Sequence, residues 1–164
     1  MNKTFSRETY NQSDKISKIE AIKFLNQLGY KSVLSDKELY KKGDFYSIDP
    51  NGNKILVEVE VKFVWDEPKW KKECWDTIHI PYRKHESMSS IFIMFNHDFS
   101  SLATIDMKEI LTKGEIIKKP TKYSDEDENG KKIEEDFFSL PYTNFTFYIK
   151  KENDRWSKIK KVKK

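Results

Sequence analysis

The stretch GDFYSIDPNGNKILVEVEVKF, residues 43–63, reads as two β-strands joined by a tight turn, and its register decides what the rest of the chain is built around. Asp49, Pro50, Asn51 and Gly52 occupy the positions at which a type I turn closed by a left-handed glycine wants them, the usual three-residue hairpin. With Asp49 opposite Asn53, Asp44 falls opposite Glu58, and cross-strand neighbours share a face of the sheet. A two-residue turn would set Asp44 against Val59 instead. Along the second strand Val57, Val59, Val61 and Phe63 alternate with Leu56, Glu58, Glu60 and Lys62, a period of two that puts the charged residues on one face. Asp44, Glu58, Glu60 and Lys62 then converge as three carboxylates and one ammonium.

Working outward, Ser13 or Asp14 is placed to cap a helix running to about Leu28, with Gly29 ending it. Ile16, Ile19, Ala21, Ile22, Phe24, Leu25 and Leu28 give this helix a broad apolar surface suited to packing on a sheet. Glu20 sits at the border of that stripe, where it either reaches solvent or has a functional role. After the hairpin come Trp65, Trp70 and Trp75, read as core and lid residues, then a short helix or turn around Pro81 to Ser87. SIFIMF, residues 90–95, is a strongly apolar strand. A strand around Leu102 to Ile105 leads into a helix capped by Asp106, with Glu109 completing a capping-box-like pair. Lys119 to Asp136 reads as a long loop, Phe137 to Leu140 and Phe145 to Lys150 as the last strands. The expectation is one domain over residues 1–150 and a basic tail over 151–164.

The composition bounds the answer. A chain of 164 residues is the length of one ordinary domain, and 14% aromatic residues set it apart from disordered sequences despite 35% charged residues. MNKTFSRETY at the amino terminus carries no apolar secretion signal, and nowhere do eighteen apolar residues run together, so no membrane partner is expected. Cys74 is the single cysteine, which leaves no internal disulfide and no thiolate zinc cluster and points to an intracellular, cytoplasmic setting. The net charge of +4 is modest, but unevenly spread. Asp125 to Glu128 and Glu134 to Asp136 are acidic, whereas Arg155, Lys158, Lys160, Lys161, Lys163 and Lys164 make the end basic, either a free end or an arm whose Lys160 and Lys161 contact phosphate.

The hairpin constellation suits phosphodiester hydrolysis, which needs an activated water and stabilisation of developing negative charge; a divalent metal supplies both. Magnesium (or manganese) takes one or two protein carboxylates and completes its octahedron with water and substrate oxygens, so Asp44 and Glu60 suffice, with the backbone carbonyl of Val61 as a further ligand. Lys62, on the same face as Glu60, is placed to orient the attacking water. Glu58 is either a partner of Lys62 or an additional ligand.

Gly43-Asp44 at a strand start, then Glu60-Val61-Lys62 on the next strand, after a helix bearing Glu20, resembles the PD-(D/E)XK nuclease superfamily, with Gly43 standing where the family name has proline. Over roughly residues 13–107 the resemblance implies an α/β, restriction-endonuclease-like core: a mixed central sheet flanked by helices in the order αβββαβ, here a single domain with a C-terminal strand extension. It implies Asp44 and Glu60 as metal ligands, Lys62 as the catalytic lysine and Glu20 as the extra acidic ligand of resolvase-like branches. IHIPYRKHE, residues 78–86, would lead into the second core helix, making His79, Tyr82, Arg83, Lys84 and His85 candidates for phosphate contacts. The expected function is a magnesium-dependent DNA endonuclease, RNA left open as a substrate, acting as a homodimer. The alternatives are a catalytically inactive nucleic-acid-binding module of the same fold and a structural or interaction protein.

Overall fold

The computed structural model describes residues 7–33, 44–62, 77–87, 89–120 and 134–159. Helix α1 (Arg7–Gln27) is followed by strands β1 (Lys31–Val33), β2 (Phe45–Ile48) and β3 (Lys54–Lys62). Then come β4 (Thr77–Pro81), a 3₁₀ turn (Tyr82–Ser87), β5 (Ile91–Asn96), β6 (Ser101–Asp106) and helix α2 (Met107–Lys113). Strands β7 (Glu115–Pro120) and β8 (Glu134–Pro141), a 3₁₀ turn (Tyr142–Asn144), β9 (Thr146–Lys150) and β10 (Trp156–Lys158) complete the order.

Two sheets result. The larger runs β1-β2-β3-β5-β6-β9-β10 and is mixed, because β3 and β5 are parallel while every other neighbouring pair in it is antiparallel. The smaller runs β4-β8-β7 and is antiparallel. One face of the large sheet is covered by α1: Ala21, Phe24 and Leu25 pack on Val57, Val59, Ile93, Phe95, Leu102 and Trp156. The other face carries Phe92, Met94, Ala103 and Ile105, covered by Ile78 and Ile80 of β4, Phe138 and Leu140 of β8, and α2. Period-two alternation along β4 and β8 gives each strand of the small sheet an apolar side for this core. The fold is mixed α/β and a single domain, as expected, but the second face of the large sheet is covered by strands together with a short helix.

Several expectations are corrected. Helix α1 starts at Arg7, not Ser13 or Asp14. Asp14 lies within it, its carboxylate 3.1 Å from Lys18 one turn on and its carbonyl accepting from the Ser17 hydroxyl at 2.8 Å. The helix does stop where expected, in a Schellman arrangement with Gly29 at φ +90°, the Gly29 N–H donating to Asn26 O and the Tyr30 N–H to Leu25 O. Its buried stripe is narrower than its apolar content, since Ile16, Ile19 and Leu28 remain exposed. No α-helix occupies the β3-to-β5 connection among the described residues; there the chain forms β4 and one 3₁₀ turn. Asp106 precedes α2, but its side chain makes no capping hydrogen bond, and Glu109 pairs instead with Lys113 at 3.3 Å. The expected loop from Lys119 to Asp136 is strand at both ends, with Lys118 opposite Asp136 and Lys119 opposite Glu135. The sheet also crosses the expected boundary at residue 150, since β10 pairs with β9 and buries Trp156. The tryptophans 65, 70 and 75, Phe63, the acidic run 125–128 and Lys160 and Lys161 lie outside the described residues.

Candidate functional site

The turn chemistry sets the site. Asp49 N–H donates to Asn53 O at 2.8 Å and Gly52 N–H to Asp49 O at 2.9 Å, with Gly52 at φ +86°, the three-residue hairpin in the expected register. The ladder pairs Phe45 with Val57, so Asp44 stands next in line opposite Glu58. Val57 and Val59 face α1, which turns Glu58 and Glu60 to the opposite face, towards β4 and the 3₁₀ turn.

At Asp44 the ladder between β2 and β3 ends, and the side chain takes over where the backbone leaves off. The Asp44 N–H donates to Val57 O at 2.9 Å, and Asp44 Oδ2 accepts from the Val59 N–H at 2.7 Å. Its other oxygen is 3.7 Å from the Lys18 ammonium, which reaches down from α1. Burial pushes the Asp44 carboxyl above the usual carboxylate range, opposed by the Val59 hydrogen bond, Lys18 and Lys84 and reinforced by Asp14.

Glu58 is the most enclosed charge in the cluster, 5% exposed, and Lys84 from the 3₁₀ turn makes a direct ion pair with it. Burial raises its proton affinity; Lys84 opposes the rise, and the neighbouring Asp44 and Glu60 carboxylates add to it. Burial works against the charge of Lys84 in turn, but Glu58, then Glu60 and Asp44, more than offset this and hold the ammonium above its ordinary value. Glu60 pairs with Lys62 at 3.0 Å through one oxygen, and its second oxygen is buried with no hydrogen-bond partner among the described residues. The Lys62 ammonium also donates to the His79 carbonyl at 3.2 Å, anchoring it to β4. Because ladder groups alternate sides along a strand, the carbonyl of Val61 points to the same side of β3 as the Val59 N–H that Asp44 receives.

Three carboxylates are therefore interleaved with the ammoniums of Lys18, Lys62 and Lys84. Among the described residues no group of three His, Cys, Asp or Glu side chains is gathered closely enough to hold a metal ion. The buried second oxygen of Glu60 lacks a hydrogen-bond partner among the described residues, and an additional cation would satisfy it.

The remaining sequence-derived candidates fall in different places. Glu20 is held by Lys150 of β9 at 3.0 Å and by Lys23 at 3.4 Å, so both of its oxygens are engaged away from Asp44. Lys18 and Glu20, two residues apart on a helix, point in widely different directions, which is why Lys18 reaches Asp44 and Glu20 does not join it. His79 Nδ1 lies 2.7 Å from the Lys119 ammonium and Nε2 lies 3.2 Å from the Thr77 hydroxyl. Burial lowers the affinity of its ring for a proton, with Lys119 and Lys62 acting in the same sense, so the ring accepts from Lys119 as neutral imidazole. Tyr82 packs on Phe138 and His85 beside the core, Arg83 pairs with Glu135 at 2.9 Å, and His85 Nδ1 is bonded to the Tyr82 carbonyl. Lys84, read as a phosphate contact, sits in the carboxylate cluster. Lys18 escaped the sequence reading because its link to Asp44 spans 26 residues and no local pattern signals it.

No protein-family model, no curated protein and no solved structure matches the chain.

Proposed function

We propose that this chain is a metal-dependent endonuclease of the PD-(D/E)XK kind, hydrolysing phosphodiester bonds in DNA. The observation that supports the reading is the charge cluster where β2 meets β3: Lys84 lies within electrostatic reach of Asp44, Glu58 and Glu60, and Glu60 pairs with Lys62 while its second oxygen has no hydrogen-bond partner among the described residues. The order of the first strands supports it: an antiparallel meander β1-β2-β3 behind a helix, followed by β5 parallel to β3. Asp44, Glu60 and the Val61 carbonyl would hold magnesium or manganese, with Glu58 available as a further oxygen ligand. Such an ion, when bound, lowers the pKa of a water and offsets negative charge on the phosphoryl oxygens. Lys62 is fixed by Glu60 and the His79 carbonyl, so its ammonium would be presented in one orientation towards an attacking water. Val59 holds Asp44 in the same way.

The test is incubation of the chain with duplex, single-stranded and branched DNA, with and without manganese. Cleavage that vanishes in Asp44→Asn and Lys62→Ala supports the reading; equal cleavage by these variants overturns it.

One observation favours a second reading. Asp44, Glu58 and Glu60 already have ammonium partners, which suits a nucleic-acid-binding module whose carboxylates serve structure alone. DNA binding without cleavage, together with no manganese uptake sensitive to Glu60→Gln, selects it.

A further inference from the structure

We propose that the outer edge of β7 is a docking surface for a second copy of this chain, which joins it antiparallel about a two-fold axis through Ile117. The inference goes beyond the nuclease reading and does not depend on it.

Strand β7 lies at one end of the small sheet, and among the described residues no strand pairs with its outer edge. An edge strand offers a row of backbone donors and acceptors that a further strand can take up. The sequence of β7 selects that strand. Two identical antiparallel strands related by a two-fold axis must set one residue opposite its own copy, because the axis passes through a directly opposed pair. Centred on Lys118, the pairing brings two ammoniums together and sets Ile116 against Pro120. Centred on Ile116, it leaves Glu115 opposite Ile117. Centred on Ile117, it places Glu115 opposite Lys119 on each side of the axis, all on one face. Ile117 then meets its own copy on that face. On the other face Ile116, 55% exposed in the single chain, becomes the diagonal neighbour of its copy. Charge pairing and apolar pairing therefore agree on one register. The ends agree as well. That register sets Pro120 opposite Gly114; proline has no N–H, and the Gly114 N–H already donates to Ile110 O at 2.8 Å. The new ladder thus runs from Glu115 to Lys119 and joins two three-stranded sheets into one. In forming it, Lys119 exchanges the neutral His79 ring, 2.7 Å away, for a carboxylate, the stronger acceptor.

The experiment is sedimentation velocity of the full chain over a wide range of concentrations, with Glu115→Lys, Lys119→Glu and an equimolar mixture of the two variants. An interface this small gives a weak dimer, so wild type should pass from monomer to dimer as concentration rises. Each variant opposes like charges on both sides of the axis and should dimerise on the order of tenfold more weakly, whereas the mixture opposes unlike charges again and should recover wild-type association. A wild type that stays monomeric throughout, variants that dimerise as tightly as wild type, or a mixture no better than its parts overturns the proposal. Should Lys119→Glu fail to fold, since Glu135 stands opposite it on β8, hydrogen exchange of wild type decides the matter. The backbone amides of β7 should exchange severalfold more slowly at high concentration than at low, and an unchanged rate rejects this edge as the interface.

Discussion

Asp44 Oδ2 receives the backbone N–H of Val59 at 2.7 Å, so one carboxylate both ends the β2–β3 ladder and presents its second oxygen to Lys18. Structure and proposed chemistry are separable at this residue. Asp44→Ala leaves the Val59 N–H without a partner in a half-buried place, at a cost of about 1–3 kcal/mol. Asp44→Asn keeps an acceptor for that N–H and removes only the charge, so its cost falls below about 1 kcal/mol. Urea denaturation of the two variants should separate them, and both should lack cleavage. Equal destabilisation of the two would show that the hydrogen bond does not hold this edge.

The Glu58–Lys84 pair makes a second prediction. Glu58 is almost wholly enclosed, so Lys84→Met removes the ion-pair partner of a buried carboxylate, and Glu58→Leu removes the carboxylate that most strongly holds a largely buried ammonium. Each single change costs about 3 kcal/mol, whereas the double variant, which removes both charges, loses much less than the sum. Additive losses in a denaturation cycle would count against direct coupling.

How far the sequence reveals this arrangement depends on the distance over which each interaction acts. The hairpin register is legible because Asp49, Asn51, Gly52 and Asn53 settle it among themselves. The valine alternation of β3 is legible because its period belongs to the strand itself. The charge partners are not: Lys18 reaches Asp44 across 26 positions and Lys84 reaches Glu58 across 26 more. The small sheet hides for a related reason. Glu134, Glu135 and Asp136 read as an acidic loop until β7 sets Lys118 and Lys119 opposite two of them. Asp14 carries the chemistry of a helix cap, yet its i,i+4 partner Lys18 suits it equally to the helix interior, and the chain takes the second option.

Trp156 shows what a basic tail can conceal. It is 4% exposed, edge-on to Phe24 at 6.1 Å and 5.9 Å from the Phe95 ring, while Gln27 exchanges two hydrogen bonds with its backbone at 2.6 and 2.8 Å. Trp156→Ala should therefore cost about 3–5 kcal/mol. A chain ended after Lys150 should lose at least as much stability, since it also loses β10. Thermal denaturation followed by circular dichroism compares both with wild type; indistinguishable melting of the Lys150 truncation would remove Trp156 from the core.

The turn that sets the register carries its own pH signature. Asp49 accepts from the backbone N–H groups of Asn53 and Asn51 and from the Asn53 amide. These bonds, the Asn53 backbone foremost, hold its carboxyl below the usual carboxylate range. A folded-state pKa below the unfolded value of 3.8 means the turn contributes stability above that value and loses it as pH falls through the folded one. Wild type should exceed Asp49→Ala in stability at neutral pH, and the gap should shrink steadily from about pH 5 towards about pH 2. Urea midpoints for both proteins across that range measure it. A gap as wide at the acid end as at neutrality would mean that Asp49 acts through its shape and not through its charge.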